Sequence, residues 1–139
     1  MSTFIIKTQN DETIRFRYYT SEAPLTTAAF EKTLPFSRIF FHARVSGEEI
    51  WIDDAPALDI IQENASVFAQ PGEIVIAPLK PARNRIIHCM GIFYGEGKLV
   101  DCGNIFGKVV DEDLPLLKKL GDSIWRQGAQ VLVFEKAEA

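Results

Sequence analysis

The stretch FFHARVSGEEIWID (40–53) gathers His42, Arg44, Glu49 and Trp51, four side chains able to hold a ligand between them. An imidazole exchanges protons near neutral pH, and a guanidinium presents a planar fork of donors to a carboxylate or an amide. A carboxylate accepts from N–H groups, and an indole offers an apolar wall. If Ile39, Phe41, Ala43 and Val45 point inward along one strand, Phe40, His42 and Arg44 share its outer face. In the following arm Ile50 and Ile52 then point in, leaving Glu49, Trp51 and Asp53 outside. Directly opposed residues of paired strands have Cβ atoms about 4.5–5.5 Å apart, close enough for an Arg44–Glu49 pair. The arrangement suits a groove for a small carboxylate or amide, anchored by Arg44 and walled by Trp51. The plainer reading is a cross-strand ion pair with a tryptophan packed under a helix.

A second run, RIIHCMGIFYG (85–95), places Ile87, Cys89, Gly91 and Phe93 on one side and His88, Met90, Ile92 and Tyr94 on the other. Both sides are apolar, so the sequence predicts burial on both, one of them under a helix, a subunit or a ligand. His88 and Tyr94 would line the groove from the two ends of that face, although a structural histidine is the commoner role. Outward Met90 and Ile92 would favour a homo-oligomer. Glu48 and Glu49 are adjacent, face opposite ways on a strand, and make a poor acid–base dyad. Cys89 reads as a small hydrophobe and Cys102 as an exposed loop thiol. No pair of histidines or cysteines has the close spacing of a zinc site, so neither a metal nor a cofactor is predicted. The glycines of GIFYGEG (91–97) lack the strand-to-helix context of a phosphate loop and read as a tight turn. The basic run LKPARNR (79–85) is a solvated loop or the flank of the same groove.

These residues are positioned by short β-forming runs. FIIKTQ (4–9) and TIRFRYYT (13–20) predict an antiparallel hairpin, with Ile14, Phe16 and Tyr18 alternating against Arg15, Arg17 and Tyr19. Ser21 is placed to cap a helix running to about Leu34, stopped by Pro35, with Leu25, Ala28, Ala29 and Phe30 on one stripe. A second helix is expected in DEDLPLLKKLGD (111–122), its stripe Leu116, Leu117 and Leu120 and its stop Gly121. Strands SRIFFHARV, EEIWID, EIVIAP, RIIHCMGIFYG and NIFGKVV lie between, and AQVLVFEK (129–136) closes the chain. The expected fold is mainly β, a closed eight-stranded and mostly antiparallel barrel with one or two short helices. A two-sheet sandwich is the alternative. No linker or repeat divides residues 1–139, which read as a single domain.

The bulk composition narrows the function classes. A content of 47% hydrophobic and 24% charged residues supports a globular core. A net charge of −4 argues against a nucleic-acid partner, which needs a basic face. No run approaches the ~20 apolar residues of a membrane span. The start, MSTFIIKTQNDE, has the wrong shape for a signal peptide, so a cytoplasmic protein with two reduced cysteines is expected.

The order of motifs resembles the cyclophilin-like superfamily and, more narrowly, an uncharacterised group of small prokaryotic proteins within it. The resemblance is carried by the helix ending in Leu34–Pro35, SGEEIWID (46–53), PGEIVIAP (71–78), GIFYGEG (91–97), NIFGKVV (104–110) and LKKLGDSI (117–124). It implies an eight-stranded barrel with helices at its ends and a ligand groove on its outer face. For true cyclophilins it would also imply peptidyl-prolyl isomerisation beside a strand arginine. FFHAR (40–44) is similar to that strand but carries Ala43 between His42 and Arg44, and the glutamine-bearing segment has no match. Other members of the superfamily act on pyroglutamate and allophanate, which keeps small amides and ureides in view. The leading expectation is a groove for a small carboxylate, amide or ureide lined by His42, Arg44, Glu49, Trp51, His88 and Tyr94. A peptide-binding module with weak isomerase activity and a non-catalytic interaction protein stand behind it.

Overall fold

The computed structural model describes residues 2–137. The elements are β1 (Thr3–Lys7), β2 (Thr13–Tyr18), α1 (Pro24–Glu31), β3 (Phe36–His42), β4 (Gly47–Ile52), β5 (Ala65–Ala69), β6 (Glu73–Ile76), β7 (Met90–Val109), α2 (Leu114–Gln127) and β8 (Gln130–Lys136). Neighbouring strands run β2-β1-β8-β3-β4-β7, and β2 pairs with β7 to close the ring. All pairings are antiparallel. The last place in the ring belongs to β6, flanked by residues 90–92 of β7 on one side and 104–108 on the other. Both stretches run antiparallel to β6, so β7 has to double back between them. It pairs with β5 as it does so, Ala69 opposite Gly97 and Ala65 opposite Asn104. The runs expected as separate strands at 85–95 and 104–110 are thus two passes of one continuous element. β5, with the sequence ASVFA, has no counterpart among the expected strands.

Strict alternation in β1 and β2 sends Phe4, Ile6, Ile14, Phe16 and Tyr18 into the ring. There Phe4 stacks on Phe16 with ring centroids 5.1 Å apart, and Phe36 stacks on Phe134 at 4.7 Å. Such pairs add about 0.5–1.5 kcal/mol each beyond the area they bury. β3 reverses the expected facing. Phe40 is fully buried, whereas Ile39 and Phe41 are about half exposed. Pairing with β8 sets this parity, because Phe36 and Phe40 stand opposite Phe134 and Gln130, on the face shared with the buried Leu132. Consecutive apolar residues at 39–41 carry no alternation from which to read it. The facing of Met90 and Ile92 is corrected too: both are buried in the ring interior, so neither offers a surface to a partner.

α1 is shorter than expected, with Ala23 rather than Ser21 at its cap and Pro24 in its first turn. Its inward face is Thr26, Thr27 and Phe30, and Leu25 points to solvent. No local side chain caps it. Instead the Glu63 carboxylate accepts from the backbone N–H groups of Leu25 at 3.1 Å and Thr26 at 2.8 Å and from the Thr26 hydroxyl. The fully buried Asn104 completes the network, donating to Thr26 Oγ1 and accepting from the Glu63 N–H.

α2 is longer than expected, running through Gly121 to a cap at Gly128 with φ of 99°. Leu117, Leu120 and Ile124 face the core and plug one end of the ring. Gly121 is no stop; its bare backbone lies against the Tyr94 ring, where a Cβ would collide. Among the described residues no helix is long and apolar enough to cross a membrane.

Replacing Gly121 by Ala inserts a methyl group into this contact. Helix propensity alone would favour Ala by roughly 1 kcal/mol. Overpacking should outweigh it and leave a net loss of about 1–2 kcal/mol. A lowered denaturation midpoint in urea checks this; an unchanged or raised midpoint would mean that the Tyr94 ring simply moves aside.

Candidate functional site

β4 places the chemistry. Its alternation buries Ile50 and Ile52 in the ring and turns Glu49 and Trp51 to the outer face, as the sequence predicts. That outer face is not open water. The connection before β7 and the returning pass of β7 build a second apolar cluster over it, with Val75, Ala77, Ile86, Phe93 and Leu99. Glu49 is consequently only 4% exposed.

Its carboxyl fits because Gly91, opposite Trp51 on β7, has no side chain; a Cβ there would collide with Glu49 Oε2. Ser46 Oγ donates to Oε1. Oε2 has no hydrogen-bond partner among the described residues. No fully buried side-chain oxygen is left unpaired among them, so Oε2 keeps some exposed surface, in a residue that lines a cleft. Burial pushes the Glu49 carboxyl up to about 7, and the Ser46 bond only partly offsets it.

That cleft has a volume of about 650 Å³. The aromatic rings of Phe41, Trp51 and Trp125 line it, Val75, Ile86 and Leu99 contribute apolar surface, and Arg44, Val45 and Arg85 also line it. Trp125 is 62% exposed and Val45 87% exposed, apolar surface that water serves poorly and a ligand would cover. Cys89 also lines the cleft, its thiol pushed up to about 11 by burial and by the charges of Asp53 and Glu49. It is a neutral thiol at physiological pH, consistent with the packing role expected of it.

His42 stands where the cleft meets a second hollow that is lined by Tyr94, Glu48, Lys118 and Asp122. Its Nδ1 lies 2.7 Å from the Ala43 carbonyl and its Nε2 2.6 Å from the Tyr94 hydroxyl. A carbonyl can only accept, so Nδ1 carries the proton. In neutral His42 the Tyr94 hydroxyl then donates to Nε2. The Trp125 ring meets the imidazole edge-on at 4.8 Å between centroids. Burial, with the charges of Glu48 and Asp122, raises the Tyr94 hydroxyl above its ordinary range.

Of the residues singled out in the sequence, His42, Arg44, Glu49 and Trp51 line one cleft, and Tyr94 joins them through His42. His88 does not. It is exposed, with φ of 69°, in the turn before β7, and lines neither hollow. The anticipated Arg44–Glu49 ion pair is not formed among the described residues; the two segments are joined by the Ala43 N–H donating to the Glu49 carbonyl. Phe41, Trp125 and Ser46 escaped the sequence reading. Trp125 lies beside the Leu117–Leu120–Ile124 stripe of α2, and a large aromatic off the buried stripe is the signal that would have found it. Among the described residues no group of three His, Cys, Asp or Glu side chains is placed to hold a metal ion.

A closed antiparallel ring of eight strand passes, plugged by a helix and bearing a cleft on its outer face, is the cyclophilin-like architecture. A Cryptosporidium parvum cyclophilin-type peptidyl-prolyl cis-trans isomerase, crystallised in the presence of the dipeptide Ala-Pro, is similar with a TM-score of 0.66 and 16% identity. That match covers 99% of both chains. The solution structure of hypothetical protein AF2241 from Archaeoglobus fulgidus matches with a TM-score of 0.65 and 16% identity, covering 98% of this chain and 95% of that one. McbB in complex with tryptophan matches with a TM-score of 0.71 and 18% identity. That match covers 98% of this chain, which spans only 45% of McbB. No curated protein is similar enough in sequence to count as a match. The chain belongs to DUF3830, a family of proteins of unknown function, whose pattern matches residues 6–135.

The raised Glu49 pKa has a consequence for stability. Between about 4.5, its ordinary value, and about 7, the unfolded chain has lost this proton while the folded chain keeps it. Folding stability should therefore fall as pH rises through that window, by up to about 1.4 kcal/mol per unit, and level off above it. Glu49→Gln should lack this slope. Urea midpoints of both proteins between pH 4.5 and 8 check it, and parallel profiles would assign the carboxyl an ordinary pKa.

Proposed function

We propose that this protein binds a small organic ligand in the outer-face cleft, with a flat apolar body against Trp51, Phe41 and Trp125 and an amide, ureide or carboxyl group at Glu49. The observation that carries the reading is Glu49 itself. A carboxyl buried in apolar surroundings costs stability at neutral pH, and one of its oxygens is left without a partner among the described residues, on a residue that lines an open cleft. Folding alone gives no reason to keep it there; a ligand that hydrogen-bonds to it does. The cleft volume falls within the range of about 300–1,000 Å³ usual for small-molecule sites. Few polar groups among aromatic and aliphatic walls is also the usual composition of such sites. Arg44 adds a cation at the edge for a carboxylate.

A second reading, a proline-peptide groove, is supported by the likeness to the Cryptosporidium isomerase and by Arg44 beside aromatic side chains. Tryptophan and Ala-Pro, the molecules present with two of the similar structures, are natural probes beside an aromatic ureide and an aromatic keto acid.

Thermal denaturation with tryptophan, L-5-benzylhydantoin, phenylpyruvate and Ala-Pro separates the readings. A ligand at a hundredfold excess over its Kd stabilises the native state by about 2.7 kcal/mol. An upward shift is expected with at least one aromatic probe, and Trp51→Ala should abolish it. A shift with Ala-Pro alone would favour the peptide groove. No shift, or one indifferent to Trp51→Ala, would remove the ligand from the cleft.

A further inference from the structure

We propose that the cleft is catalytic and that Glu49 is its proton carrier: Oε2 takes a proton from a carbon beside a carbonyl group of the bound ligand and returns it to that carbon or to a neighbouring atom. The inference rests on the small-ligand reading above and adds to it a reaction class, proton transfer at a carbon acid.

Three features of the geometry support it. The two carboxyl oxygens are unequal, Oε1 held by Ser46 and Oε2 without a partner among the described residues and not fully buried, on a residue that lines the cleft. Ser46 thereby fixes the direction in which the second oxygen points, and Gly91 leaves the room for it. Arg44 supplies the complementary charge. The other guanidinium lining the cleft, Arg85, is engaged with the Val100 carbonyl at 2.6 Å, while Arg44 makes no hydrogen bond or ion pair among the described residues. A carbonyl oxygen drawn to Arg44 would place an adjacent C–H within the same cleft as Oε2.

The step balances without a co-reactant. The C–H electron pair moves into the neighbouring carbonyl, the proton passes to Oε2, and the negative charge appears on the ligand's oxygen, where the guanidinium stabilises it. Glu49 becomes a neutral acid, the form its apolar surroundings favour. In the return step the electron pair re-forms a bond to hydrogen and the carboxylate is restored. The net result is isotope exchange, inversion of the carbon or tautomerisation.

A carboxyl titrating near neutrality is a stronger base than an ordinary glutamate and is still substantially ionised at pH 7. The other groups facing it leave the assignment clear. Cys89 stays a thiol up to about 11, Arg44 and Arg85 are permanently charged, and both ring nitrogens of His42 are engaged with Ala43 and Tyr94.

The test is exchange in D₂O, followed by ¹H NMR, of the C5 proton of L-5-benzylhydantoin and the benzylic protons of phenylpyruvate. Binding of each probe is measured in parallel by thermal shift. The intact protein should exchange at least one of them faster than buffer, the rate rising with pH to a plateau just above 7. Glu49→Gln should lose ~100-fold or more of that rate at saturating probe, beyond any loss of binding. Glu49→Asp, which keeps the acid but withdraws the oxygen, should fall between them, and Arg44→Ala should weaken both binding and rate. Binding with exchange at the buffer rate, or undiminished exchange by Glu49→Gln, would overturn the proton-transfer proposal and leave the small-ligand reading standing. If neither probe binds, the proton-transfer proposal falls, and the small-ligand reading falls with it only if tryptophan gives no shift either.

Discussion

Every strand in a closed sheet has an inner and an outer face, and here the outer face is buried wherever β7 returns across it. The two passes of β7 on either side of β6 are the constraint on which the rest depends. They complete the ring, and they also lift a second layer of chain over β6 and β4, where Val75, Phe93 and Leu99 pack outside the main core. Without that layer Glu49 would be an ordinary surface carboxylate on an alternating strand. With it, the same residue sits in an apolar setting and titrates near neutrality.

The position of one glycine makes that setting tolerable. Gly91 faces Trp51 across the β4–β7 pair and leaves a gap that the Glu49 carboxyl fills. Strand pairing therefore sets the carboxyl against the bare backbone of Gly91, and Ser46 holds one of its oxygens. A ligand group entering the cleft meets an oxygen whose place is already determined, so little ordering is left to be done on binding.

The ring itself was legible in the sequence because the runs are short and β-forming, β2 alternates cleanly, and glycine and proline mark the turns between runs. The outward facing of Glu49 and Trp51 was legible too, because Ile50 and Ile52 state which way β4 faces; the sequence assigns His42 and Arg44 to the same surface from a facing of β3 that is reversed. β3 was not legible. Ile39, Phe40 and Phe41 are all apolar, and only the register with β8, 90 positions away at the Phe40–Gln130 pair, decides that Phe40 goes in. The alternation of the sequence puts His88 and Tyr94 on one strand face, yet the strand begins at Met90, so His88 belongs to a turn. Gly121 was mistaken for a helix stop because a glycine that ends a helix and one that admits a neighbouring ring are identical in sequence.

The capping of α1 by Glu63 bears on how the molecule assembles. A helix of eight residues is too short to persist alone in water, and this one has no cap within its own segment. Its first-turn N–H groups find an acceptor 37 and 38 positions further along the chain, in a carboxylate whose own N–H is held by Asn104. The N-terminal third therefore cannot complete its helix until β7 is in position. Closure of the ring and formation of α1 become one cooperative event, dominated by contacts distant in sequence. Such a topology folds more slowly than one built from local pairs, and it exposes the Phe30 side of α1 until the last strand pass arrives.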